Sequence, residues 1–296
     1  MQNNQIYAKY AKLILKDKQP INIYEIPFLP ISFFKKKQII CQGKALEKVF
    51  LSSGTTGNQS KHLISDISIY KESYTKAFEL FYGDIKQYCI LSLLPNYREQ
   101  EDSSLIYMVD DLISKSKNID SGFYLNNYKK LDFKLKQLEE KGQKTILFGV
   151  SYALLDLAEQ FPQQLKHTII IETGGTKGKK EIVKEELHQR LKTAFSIDNI
   201  HSEYGMSELL SQSYSDGNGF FKCPPWKQVI IRDINDPLSL IGENKTGGVN
   251  IIDLANIYSC PFIATQDLGK TFNDGTFKIL GRFDNSDLRG CNLLIQ

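Results

Sequence analysis

The sequence predicts a layered α/β fold. Short apolar runs alternate with helically spaced apolar patterns over most of the length, and glycine-bearing turns follow several of those runs. From Val229 onward the runs become mostly strand-like and are separated by turn signals, which adds a β-rich lobe to the α/β part.

The elements follow in order. Val49–Leu51, Tyr88–Leu94, Thr145–Val150 and Thr168–Ile171 are short, apolar and bounded by turn formers, so they read as strands. Behind Ser103, residues Leu105, Ile106, Met108, Val109, Leu112 and Ile113 recur at helical spacing. Ser151 is placed to cap a helix through Ala153, Leu154, Leu157 and Phe161, and Glu181 to Phe195 forms an amphipathic helical pattern. Later strands are expected at Val229–Ile231, Gly248–Ile252, Phe262–Thr265 and Thr276–Leu280, divided by Asn235-Asp236-Pro237 and Asn273-Asp274-Gly275. No repeat or low-complexity linker interrupts the chain. The expectation is a single domain over residues 1–296, with approximate lobes at 1–225 (α/β) and 226–296 (β-rich).

With 296 residues, 41% of them hydrophobic, the chain can bury a core without staples. A formal charge of only +3, with both signs interspersed, argues against a dedicated nucleic-acid binder, and Lys35-Lys36-Lys37 and Lys177–Lys180 read as solvated charges. Five scattered cysteines form no C-x-x-C pair and no metal spacing with the four histidines, which suggests reduced thiols and a cytoplasmic location. No apolar run approaches the roughly 20 residues of a membrane span.

Four segments carry polar chemistry. Leu51-Ser-Ser-Gly-Thr-Thr-Gly57 follows a strand and supplies two glycines with the hydroxyls of Ser52, Ser53, Thr55 and Thr56. It can cradle phosphate, or it is an exposed turn. A P-loop would read G-x-x-x-x-G-K-[ST], whereas Gly57 follows Gly54 by three positions and precedes Asn58. Ile169-Ile-Ile-Glu-Thr-Gly-Gly-Thr-Lys-Gly178 is a second strand-to-glycine turn, with Gly174 and Gly175 at its bend. In His201-Ser-Glu-Tyr-Gly-Met-Ser-Glu208, Tyr204 can stack on a base, Ser207 can donate to phosphate and Glu208 can hold Mg²⁺; the alternative is a capped turn with a buried tyrosine. Thr265-Gln-Asp-Leu-Gly269 offers Asp267 to ribose hydroxyls and Gly281-Arg282 offers a guanidinium, although each alone reads as a turn.

In this order the segments resemble the core motifs of the adenylate-forming superfamily of acyl-CoA synthetases, peptide-synthetase adenylation domains and luciferases. Ser53-Gly-Thr-Thr-Gly57 is similar to its phosphate loop, Tyr204-Gly-Met-Ser-Glu208 to Y-G-x-T-E, Gln266-Asp267 to the ribose-binding G-D, and Gly281-Arg282 to the G-R approach to the hinge. Ser60-Lys-His62, Leu93-Leu-Pro-Asn-Tyr-Arg98, Ser211-Gln212, Cys223-Pro-Pro-Trp226 and Asp287-Leu-Arg-Gly-Cys291 resemble the LuxE-type acyl-protein synthetase branch.

The resemblance implies an ATP- and Mg²⁺-dependent ligase that activates a carboxylic acid, read as a fatty acid, to an acyl-adenylate and passes it to a thiol. It assigns Ser53, Gly54, Thr55, Thr56 and Gly57 to the phosphates, Ser207 to the α-phosphate, and Glu208 to the metal. Tyr204 with Gly174 and Gly175 falls to adenine, and Asp267 and Arg282 to ribose. Cys291 is the candidate acyl acceptor; the alternative is a small buried residue ending a strand that leads into Leu293-Leu294-Ile295, with the acceptor then a carrier or reductase partner protein or coenzyme A. The helix containing Met108 and the turn around Tyr97 are implied for the acid. Because the sequence stops at Gln296, the mobile C-terminal domain that carries the adenylation lysine in acyl-CoA synthetases is expected to be absent, and Ser207 stands where threonine is usual. The rival reading is a nucleotide- or acyl-adenylate-binding module that acts with a partner and does not turn over.

Overall fold

Side-chain caps start most of the long helices. Asn4 accepts from the Tyr7 N–H at the head of α1 (Gln5–Leu15), and Asp66, Ser103 and Asn127 do the same for α3, α4 and α5 below. The computed structural model describes residues 3–16, 18–53, 59–95, 100–125, 127–174 and 183–283. After α1 come β1 (Leu29–Pro30), α2 (Phe33–Lys36), β2 (Lys48–Leu51), β3 (Lys61–Ile64), α3 (Ile67–Tyr82), β4 (Cys89–Leu93), α4 (Ser104–Ser116), β5 (Gly122–Phe123), α5 (Tyr128–Glu140), β6 (Thr145–Gly149), α6 (Ser151–Gln160), β7 (Thr168–Glu172) and α7 (Lys184–Phe195). The remainder is strand: β8 (His201–Tyr204), β9 (Ser213–Ser215), β10 (Phe221–Lys222), β11 (Lys227–Arg232), β12 (Leu240–Ile241), β13 (Gly247–Asp253), β14 (Phe262–Thr271) and β15 (Phe277–Arg282). Among the described residues no helix is long and apolar enough to cross a membrane.

One mixed sheet joins the two stretches of chain, in the order β12-β11-β13-β14-β15-β10-β9-β8-β7-β6-β4-β5, with β1 added parallel to β14. Strands β5, β4, β6, β7 and β8 run parallel, and the direction reverses at the β8–β9 pair. Alternation explains the layering of the parallel half. Ile90, Ile146 and Phe148 face α3 and α4, while Leu91, Leu93 and Leu147 face α5, α6 and α7. A third core packs Tyr7 and Ala11 of α1 and Phe34 of α2 against Val249, Ile251, Ile263 and Phe277 of the antiparallel half.

Two local expectations are corrected. Ser151 does not cap α6: Val150 holds that position, and the Ser151 hydroxyl donates instead to Glu172 Oε1 at 2.8 Å. Thr265–Gly269 is not a turn. It lies inside β14, whose register against β15 shifts between Leu268 and Gly269. The sequence hides this strand because its inward positions after Ile263 are Thr265, Asp267 and Gly269, so the alternation carries no apolar signal. The shift leaves Asp267 directly opposite Arg282.

Candidate active site

The carboxyl ends of β7 and β8, where ligands bind in parallel α/β sheets, carry Glu172 and Tyr204. The Tyr204 hydroxyl donates to Asp267 Oδ2 at 2.7 Å, and Arg282 Nε donates to Asp267 Oδ1 at 3.0 Å. A carboxylate has about four lone-pair directions, so Asp267 can hold both partners and still accept from two ribose hydroxyls. The Arg282 side chain is 74% exposed and only its Nε is engaged among the described residues, which leaves the outer guanidinium facing solvent. Phe221, Phe277 and the Lys227 ammonium pack around the Tyr204 ring and fix its orientation.

Ser207 and Glu208 sit against the stem of the glycine loop. The Ser207 hydroxyl donates to the Leu51 carbonyl at 3.0 Å. Across the stem, the Ser52 N–H donates to the Ser60 carbonyl and the Ser60 N–H to Ser52 Oγ. The Ser60 hydroxyl is hydrogen-bonded to the Glu208 carboxyl. Burial raises the pKa of Glu208, and the charges of Arg282 and Lys35 oppose that rise. Behind this pair lies His62, fully buried on β3, whose Nδ1–H donates to the Ser207 carbonyl at 2.8 Å. Asn256 Nδ2 donates to the Glu208 carbonyl at 2.8 Å. Two buried side chains therefore hold the backbone of the Ser207-Glu208 turn.

The family model for acyl-protein synthetase, LuxE, matches residues 1–296. The chain belongs to the LuxE acyl-protein synthetase family. No curated protein sequence matches it. Among solved structures, ATP-bound MatB from Rhodopseudomonas palustris superposes with a TM-score of 0.61 at 16% identity, over 80% of this chain and 48% of that one. O-succinylbenzoate coenzyme A synthetase (MenE) from Bacillus subtilis, in complex with ATP and magnesium ion, gives 0.57 at 16% identity, over 81% and 51%. The luciferase-like enzyme of the mealworm Zophobas morio gives 0.55 at 16%, over 82% and 59%. At such identities the likeness is one of fold, that of the adenylate-forming enzymes. The chain spans about half the length of MatB and MenE.

In this LuxE-family chain Tyr204, Asp267 and Arg282 are joined directly, and the charges of Glu208 and Arg282 influence each other. Ser207 binds the loop stem, and Ser53 lies exposed where the stem ends. Gly174 belongs to a separate cluster. Its N–H donates to Glu172 Oε1 at 2.6 Å, and its φ of 73° suits glycine. Gly54, Thr55, Thr56, Gly57, Tyr97, Gly175 and Cys291 lie outside the described residues. Met108 is fully buried in the core against the sheet.

Sequence reasoning missed Glu172 and gave His62 no role. The Glu172 carboxylate is 5% exposed and receives Ser151 Oγ and the Gly174 N–H, with Lys184 Nζ at 3.8 Å and His188 Nε2 at 4.0 Å. Burial alone would raise its pKa, but His188, Lys184 and Ser151 together hold it down to about 2. A carboxylate at a strand end before a glycine turn was the available signal. For His62, a histidine inside the apolar alternation of β3 gave none.

Proposed function

We propose that the chain uses ATP to activate a carboxylic acid as an acyl-adenylate and hands the acyl group to a thiol. The observation that carries this reading is the Tyr204–Asp267–Arg282 constellation, set beside Glu208 and the stem of the glycine loop in a member of the acyl-protein synthetase family. In the first step a carboxylate oxygen attacks the α-phosphorus. The new O–P bond forms as the bond to the bridging oxygen breaks, and pyrophosphate leaves with the negative charge. Little covalent help is needed, so positioning and charge stabilisation dominate.

In this reading Asp267 and Arg282 hold the ribose, Tyr204 with the Gly174-Gly175 backbone holds adenine, and the loop from Ser53 to Gly57 holds the outer phosphates. Ser207 exchanges its Leu51 partner for an α-phosphate oxygen. Glu208, a lone carboxylate beside the loop stem, suits Mg²⁺, which takes one or two carboxylates with phosphate oxygens and neutralises charge when bound.

In the second step a thiolate attacks the acyl carbonyl and AMP leaves. Burial raises the thiol pKa of Cys41, Cys89, Cys223 and Cys260, that of Cys89 to about 11 and that of Cys260 to about 12. Such thiols are poor acceptors. This favours Cys291, a partner protein or coenzyme A. ATP–pyrophosphate exchange tests the first step because it needs no acceptor. Acid-dependent exchange is expected, and ATP binding without exchange for any of a panel of aliphatic, aromatic, hydroxy and amino acids would refute it. Mapping a hydroxylamine-sensitive acyl label before and after Cys291→Ser then tests the acceptor.

A further inference from the structure

On the face of the sheet turned toward α3, a carboxyl, an amide oxygen and a phenol hydroxyl lie together without hydrogen-bond partners among the described residues. Glu203 of β8 pairs directly with Tyr214 of β9, so their side chains share a face. The Glu203 carboxyl has no hydrogen-bond partner among the described residues. Beside it, Gln212 Oε1 and the Tyr214 hydroxyl are buried without partners among the described residues, at residue exposures of 4% and 2%. Lys227, the buried cation nearby, directs its ammonium to the carbonyls of Ser211 and Tyr204. Buried acceptors are rarely left unpaired, because each loses its water without compensation.

The patch opens toward the candidate site. A Cβ on Gly205 would stand 2.4 Å from Glu203 Oε1 and 3.6 Å from Gln212 Nε2, so both groups flank the open side of a glycine two residues before Ser207. Glu203 and Gly205 are half-buried, whereas Gln212 and Tyr214 beside them are buried. Gln212 Nε2 also reaches Tyr70 Oη at 3.5 Å, and Tyr70 donates to the Ser104 carbonyl at the head of α4.

We propose that Glu203, backed by Gln212, receives a hydrogen-bond-donating substituent, an amino or hydroxyl group, on the acid that this chain activates. The inference rests on the acyl-adenylate reading above. Burial pushes the Glu203 carboxyl up to about 7 against the pull of Lys227. An ammonium would draw it into the charged form, and a hydroxyl can donate to either form. A plain alkyl chain would leave the acceptors dry and unpaired, and sites built to hydrogen-bond a substrate group reject analogues that lack it strongly.

The test is pyrophosphate exchange with acids matched in size, unsubstituted, hydroxylated or aminated, using the wild type, Glu203→Gln and Glu203→Leu. Wild type is expected to prefer a donor-bearing acid by at least about 100-fold in kcat/KM, a floor below the roughly 10,000-fold that sites built to hydrogen-bond a substrate group reach. Glu203→Leu should abolish that ratio while calorimetric ATP affinity stays unchanged. Glu203→Gln should spare a hydroxylated acid and lose an aminated one, which separates the two donors. Thermal stabilisation of wild type by the same acids, with a non-hydrolysable ATP analogue present, reads the preference without turnover. Exchange that favours unsubstituted acids, or a ratio unmoved in Glu203→Leu, overturns the assignment alone. ATP binding with no exchange for any acid overturns the acyl-adenylate reading and this inference with it.

Discussion

His62→Asn isolates the buried histidine that holds the Ser207 carbonyl. Asparagine can place its amide N–H near the position of Nδ1, so the hydrogen bond can persist while the titrating ring is lost. Burial lowers the His62 pKa from 6.5 to about 4, with the Ser207 hydrogen bond opposing the shift. The unfolded histidine therefore takes up a proton below pH 6.5 and the folded one does not until about pH 4. Stability from keeping this ring neutral is fully present above pH 6.5 and is lost as pH falls through that window. At about 1.4 kcal/mol per unit the loss is roughly 3 kcal/mol at the lower end. Glu203 works in the opposite sense. Its pKa is raised from 4.5 to about 7 by burial, so protonation stabilises the folded state as pH falls from 7 to 4.5. The difference between variants, not the wild-type curve, is thus the quantity to measure. Urea unfolding at pH 7.5 and pH 4.5 should show His62→Asn destabilised at the higher pH, through lost edge packing on Phe34, and recovering about 2–3 kcal/mol relative to wild type at the lower. A stability difference that stays constant between the two pH values would refute the account of His62 as a neutral buried ring.

Three further outcomes are expected. Asp267→Asn should weaken ATP binding in calorimetry by roughly 10–100-fold, since hydrogen bonds to a charged group contribute about 1.5–3 kcal/mol; unchanged affinity would remove Asp267 from the nucleotide site. Glu208→Gln should lower the rate of pyrophosphate exchange by about 100-fold or more with a smaller change in ATP affinity, because charge stabilisation acts mainly as pyrophosphate departs. Glu172→Gln should loosen the Gly174 turn and weaken ATP binding several-fold. It should also erase an acid-sensitive stability component that is present above pH 4.5 and lost toward pH 2, worth about 3 kcal/mol at about 1.4 kcal/mol per unit, readable by urea unfolding.

The parallel strands and α4 were legible because they sit in strong apolar patterns. Ser103 marked the start of α4 by chemistry that acts over three residues. The candidate site was legible mainly as an order of motifs, since Tyr204, Asp267 and Arg282 each resemble a common turn when taken alone. A cross-strand register joins Asp267 to Arg282, and a side-chain hydrogen bond between non-adjacent strands brings in Tyr204; no local pattern encodes either. Glu172 was overlooked because its role depends on Ser151 and on α7, which reach it only in the folded sheet. The Glu203 patch escaped notice for a related reason: an acidic residue in a short strand looks solvent-facing until α3 covers it.

The long spans that close this site bear on how the protein emerges from the ribosome. Tyr204 meets Asp267 across 63 residues, Ser207 meets Leu51 across 156, and Asn4 reaches the Ser259 carbonyl across 255. At about 5–20 residues per second of synthesis, Tyr204 is made several seconds before its carboxylate partner. Until β14 and β15 are available, the parallel half has neither Asp267 nor Arg282 to set against Tyr204. The Tyr204–Asp267–Arg282 constellation therefore closes only after the antiparallel half is made. Helix α1, although first to be made, waits for almost the last strands before its apolar face is covered.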